Sequence, residues 1–124
     1  MVAIILGLWV ISACAFIQDK EEVLSAPELL QKGVKKSKKG YLAEATSAFQ
    51  QVLEDYPDSE ERVKALLLLA RAHYSNEEYE EAKFHFRKFT ELYPAHRQTD
   101  RAYFYGVMSD YKRIDLAQRD QTYT

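Results

Sequence analysis

Few side chains in this 124-residue chain have the types and spacing that chemistry requires. Its three histidines, His73, His85 and His96, share no i, i+4 spacing, so no two imidazoles are set on one helical face as a metal site would need. The carboxylates Asp55, Asp58, Glu60 and Glu61 crowd one short stretch, where stabilisation of a helix start explains them. There is no glycine-rich phosphate loop, nucleophile elbow or cysteine–histidine pair. Lys32, Lys35, Lys36, Lys38 and Lys39 form a basic cluster that is either a solvated face or a contact for anionic lipid head groups, at about 1 kcal/mol per charge. A net charge of −2 gives no reason to expect nucleic-acid binding. The residues point to no enzyme, no cofactor and no metal.

The remaining reactive group is the lone cysteine, Cys14, which excludes an internal disulfide. It lies near the end of the apolar segment MVAIILGLWVISACAFI. The run from Val2 to Ile11 is short of the roughly 20 apolar residues that span a bilayer, and it fits the core of a secretory signal peptide. Ile11-Ser12-Ala13-Cys14 resembles the lipobox of bacterial lipoproteins: a branched apolar residue, two small residues, then the cysteine whose thiol takes a diacylglycerol. The resemblance implies a signal peptide over 1–13, cleavage before Cys14, and a lipidated tether over 14–26. Ala15 stands where an aspartate would favour the inner membrane, which implies the periplasmic face of the outer membrane. An ordinary signal peptide, or a buried helix with an incidental cysteine, are the alternatives.

The elements behind these residues follow a repeat. Pro57 and Pro94 lie 37 positions apart, each after a tyrosine, and the same shift pairs Ala45 with Ala82, Phe49 with Phe86, Val52 with Phe89, Leu29 with Leu66 and Gly33 with Ala70. Apolar residues at i, i+4 and i+7 give one face of an amphipathic helix in each unit. The small residues allow close helix approach, and each proline ends a second helix. Asp58 to Glu61 reads as the next helix start. The pattern resembles the tetratricopeptide (TPR), whose unit is about 34 residues; the excess sits between Asp58 and Arg62. The expected fold is therefore all-α, a TPR helical-hairpin solenoid of about two and a half repeats. Repeat one covers 27–57, repeat two 58–94, and the start of repeat three 95–124, with Ala102, Tyr105, Gly106 and Ser109 on one face. Lys32 and Lys36 stand where repeat two has Leu69 and His73, as in a terminal repeat with one face in solvent. Tyr56 and Tyr93 are expected to pack on the next unit's first helix. The third unit shows no second helix, so a longer parent chain is expected.

A lipobox, a 37-residue step, and a segment with "YPAH", Asp100, Tyr103, Tyr105, Gly106, Asp115 and Arg119-Asp120-Gln121 together resemble the BamD (YfiO/ComL) family of outer-membrane assembly lipoproteins. The resemblance implies a non-catalytic subunit of the machinery that folds β-barrels into the outer membrane. Its partners would be the barrel-forming subunit, accessory lipoproteins and the C-terminal segments of unfolded barrel proteins. This chain would correspond to the substrate-facing N-terminal half. A different periplasmic TPR adaptor in cell-envelope or peptidoglycan maintenance, or a TPR appendage of a peptidoglycan enzyme, are the rival readings.

Helical spacing selects a candidate concave groove on the first helices. It would comprise Leu30, Val34 and Ser37, then Lys64, Leu67, Arg71 and Tyr74, then Tyr103, Val107, Asp110 and Tyr111. Tyr and Leu could hold apolar side chains of a peptide, and Arg71 or Lys64 its carboxylate. Alternatively the aromatics only pack between repeats.

Overall fold

The computed structural model describes residues 22–122, which form five helices and, among the described residues, no strand. Cys14 and the expected signal peptide lie outside them, as does most of the tether. The helices are α1 (Ala26–Lys38), α2 (Leu42–Asp55), α3 (Glu61–Ser75), α4 (Tyr79–Leu92) and α5 (Thr99–Gln121). Each packs on the next in sequence, and α1 also touches α3, so the architecture is the expected all-α, TPR-like stack of antiparallel hairpins.

Helix α1 begins one residue ahead of the expected boundary. The Glu28 carboxylate accepts hydrogen bonds from the Ser25 backbone N–H (2.8 Å) and hydroxyl (2.7 Å), and this pair of bonds marks the helix start. Pro27 occupies the first turn, where a missing N–H costs nothing.

The 37-residue beat is written into the backbone. Helix α1 ends in a Schellman motif: Tyr41 N–H donates to the Lys36 carbonyl (3.0 Å) and Gly40 N–H to that of Ser37 (3.1 Å). Helix α3 ends identically, with Glu78 N–H on the His73 carbonyl (3.0 Å) and Glu77 N–H on that of Tyr74 (3.1 Å). The left-handed residue is Gly40 (φ 79°) in the first unit and Glu77 (φ 60°) in the second. Helices α2 and α4 stop at Tyr56 (φ −129°, ψ 57°) and Tyr93 (φ −127°, ψ 58°), pushed out of the helical region by the proline that follows each.

Two clusters make the core. Leu29, Ala45, Phe49 and Val52 join Ala65, Leu69 and Ala72 of α3 in one; Leu66, Leu67 and Ala70 of α3 join Ala82, Phe86, Phe89 and Ala102 in the other. Helix α3 thus buries two faces and welds the hairpins together. A fully buried Leu or Phe contributes about 1.5–3 kcal/mol relative to exposure. Gly33 lies beneath the Phe49 ring, and a Cβ there would overlap it, which gives the close helix approach a specific cause. Tyr56 packs on the first cluster, and its hydroxyl donates to the Leu24 carbonyl (2.7 Å), tying the segment before α1 to the end of the same unit. Tyr93 packs on the second cluster, against Phe89. Lys36 is half-buried over the Tyr41 ring, at 5.2 Å from its centroid, on the outer side of the terminal unit.

Candidate functional site

Helix α3 sorts its residues by face. Those not used in either core cluster include Lys64 and Arg71, seven positions apart and both exposed. Leu67 lies between them and is 8% exposed at the edge of the second cluster. Lys64 and Leu67 meet the loop before α5 in a cleft of about 300 Å³. Val63, Leu67 and Phe89 give it apolar walls, and Lys64, His96, Arg97 and Glu60 its polar ones.

The loop that closes this cleft is held by its own hydrogen bonds. His96 N–H donates to the Tyr93 carbonyl (3.1 Å), and the Thr99 hydroxyl donates to the same oxygen (2.6 Å). The His96 ring sets its edge against Phe89, with centroids 5.3 Å apart, and its Nδ1 accepts from the Gln98 N–H (3.2 Å). In the neutral ring Nε2 therefore carries the proton and remains a donor. Among the described residues neither Lys64 nor Arg97 is engaged in an ion pair, whereas Lys83, Arg87, Arg113 and Arg119 all are. A cleft with apolar walls and unneutralised cations can take an apolar side chain next to an anionic group.

The other expected groove residues lie elsewhere. Tyr74 is half-buried in an aromatic cluster with Tyr79, Phe86 and Tyr105, at centroid distances of 5.4, 6.5 and 5.3 Å, and so packs between units. Tyr103 and Val107 line a separate groove of about 160 Å³ with Lys83, Phe86, Arg87 and Thr90 of α4. Asp110 borders that groove, where Lys83 Nζ (2.7 Å) and then Arg113 (3.3 Å) bond it and hold its carboxyl below the usual aspartate range. Tyr111 is exposed on the same helix. Leu30 and Val34 are half-buried against the first cluster, and Ser37 is half-buried near the end of α1. The structure therefore joins Lys64 with Leu67, joins Tyr103 with Val107, and does not bring the two pairs together.

Two features escaped the sequence. His96 and Arg97 belong to the cleft, but their loop carries no helical periodicity from which a face could be read. His73 and His85 stack at 5.3 Å with planes 6° apart, although twelve residues separate them, because the hairpin sets the end of α3 beside the middle of α4. Among the described residues no group of three or more His, Cys, Asp or Glu side chains could hold a metal ion. Nor is any described helix long and apolar enough to cross a membrane.

The family model described as YfiO, outer membrane lipoprotein, matches residues 23–124, which takes in all five helices. The chain belongs to the YfiO family. Similarity extends to a curated relative from Aquifex aeolicus (strain VF5), named as outer membrane protein assembly factor BamD, with 30% identity over 98% of this chain. The chain spans 40% of that relative's length. The YfiO match accounts for the stacked hairpins and for the long α5 within one family region.

Proposed function

We propose that this YfiO-family chain acts in the assembly of β-barrel proteins into the outer membrane, as a non-catalytic, lipid-anchored scaffold. Cys14 carries the lipid, and the helical hairpins hold unfolded substrate beside the barrel-forming subunit and accessory lipoproteins. The name of the Aquifex relative supports the process.

The observation that carries the binding reading is the cleft at the start of α3. Its walls, Val63, Leu67 and Phe89, suit one aromatic or aliphatic side chain. Lys64 and Arg97 suit a carboxylate next to that side chain, and Arg71, two turns further along α3, extends the cationic track. An extended chain ending in an aromatic residue and its free carboxylate offers both groups at this spacing. No bond to the substrate is made or broken; the work is capture and alignment.

The test compares two fluorescent peptides, identical except that one ends in a free carboxylate and the other in an amide. Fluorescence anisotropy should show the free acid binding about tenfold tighter, in keeping with roughly 1.5–3 kcal/mol for a charge-assisted bond. Lys64→Glu with Arg97→Glu should remove that preference. Equal affinity of both peptides for the unaltered protein would overturn the cleft assignment.

A further inference from the structure

The face by which α3 and α5 sit on the unit before them changes character in α1. In α3 it is Ala65, Leu69 and Ala72, buried in the first cluster. In α5 the same register gives Ala102, Gly106 and Ser109, of which Ala102 and Ser109 are 0% exposed. In α1 it gives Glu28, Lys32 and Lys35, all exposed. This face is not a seat for another helix of the same kind, because three charges would lose water there. It continues through Lys36, Lys38 and Lys39, so α1 and its cap hold five lysines against one carboxylate, Glu28, a local charge of +4 in a chain of net −2.

Among the described residues none of the five lysines is in an ion pair. Glu44 of α2 borders Lys32 and Lys36 and pairs with neither. The lysines surround an open groove of about 1020 Å³ whose apolar lining is Leu24 and Val34. Just before α1, Val23 is 87% exposed.

We propose that this face of α1 lies on an anionic phospholipid surface. Lysines are compact charges on flexible stems and follow a field of head groups, and α1 has no arginine to grip one phosphate in a fixed geometry. Leu24, Val34 and Val23 add apolar surface that a membrane takes up and a nucleic acid or a soluble anion leaves in water. The proposal rests on the lipid-anchored reading for the nearness of a membrane. Cys14 lies 11 positions before Ser25, so at no more than about 3.5 Å per residue α1 starts within about 40 Å of the anchored end. Each lysine close to such a surface strengthens binding by about fivefold, and salt screens the attraction.

The test uses the full chain with Cys14→Ser, so that its result is independent of acylation, and vesicles of phosphatidylcholine with or without phosphatidylglycerol. The apolar segment 1–17 contributes to both alike, and the comparison isolates charge. Co-sedimentation should show tighter binding to the anionic vesicles, weakened about tenfold or more by Lys32→Glu with Lys35→Glu. Arg101→Glu with Lys112→Glu, on α5, changes the net charge equally and should leave binding nearly unchanged. Lys32 and Lys35 are exposed, so circular dichroism should show an unaltered fold. Equal binding to both kinds of vesicle, or equal loss in the two double variants, would overturn the proposal. So would displacement by free glycerol phosphate at the same phosphate concentration, because the site would then be one for a soluble anion. An unacylated Cys14 in the mature protein, read by mass spectrometry, would overturn the anchor reading and leave the vesicle result standing.

Discussion

Glu77 holds a left-handed backbone (φ 60°) where the preceding unit uses Gly40, and a side chain there costs about 1–2 kcal/mol. Glycine at that position loses part of the gain to chain entropy, so Glu77→Gly should stabilise the chain by about 0.5–1 kcal/mol in urea denaturation. Two helical glycines should respond with opposite signs. Gly33→Ala drives a methyl into the Phe49 ring and should destabilise by about 1–3 kcal/mol. Gly106→Ala meets only the Phe86 Cβ, at an ordinary 3.5 Å, and should stabilise by up to about 1 kcal/mol through helix propensity. A third residue couples stability to pH. Burial first, then the nearby His73 and Lys88 charges, lower the His85 pKa from 6.5 to about 4, against a smaller opposing effect of Glu81. Its Nδ1 is buried and has no hydrogen-bond partner among the described residues. The unfolded chain then binds more protons than the folded one between those values, so stability falls as pH drops from about 6.5 towards 4. Thermal melts across that window should show the decline, and His85→Gln should flatten it. Glu78, held below its usual range chiefly by Asn76 and also by His73, loses its own contribution only at lower pH, as it becomes protonated.

At the scale of elements, the helices were legible because each is amphipathic and each second helix is closed by Tyr-Pro. The start of α3 followed from Asp58 to Glu61, and the buried face of α5 from Ala102 and Ser109. What sequence alone left unreadable was which of three faces each first-helix residue joins. Helical spacing places Tyr74, Tyr103 and Arg71 near one side of their helices, but only the packing of α2, α4 and α5 decides which positions become core. Leu66 and Ala70 are covered by α4, so their equivalents Tyr103 and Val107 belong to a helix-packing face, away from Lys64 and Arg71. Periodicity reports a side; a neighbouring helix is needed to report a role. The loop residues His96 and Arg97 were hidden for a simpler reason: a turn has no period.

At the scale of the molecule, contacts run between consecutive helices, so stability is close to a sum of neighbouring interfaces. The cationic cleft at the start of α3 lies apart from the groove that Tyr103 and Val107 line on α5. The proposed role in outer-membrane assembly is supported by the YfiO membership, and the proposed capture of an unfolded chain end by the apolar walls and cations of the cleft. In-cell photo-crosslinking tests it most directly. A photoreactive residue placed at position 64 or 97 should capture unfolded β-barrel proteins, and Leu67→Glu in the same chains should abolish the capture. Capture unaffected by Leu67→Glu, or no β-barrel protein captured from either position, would contradict the account.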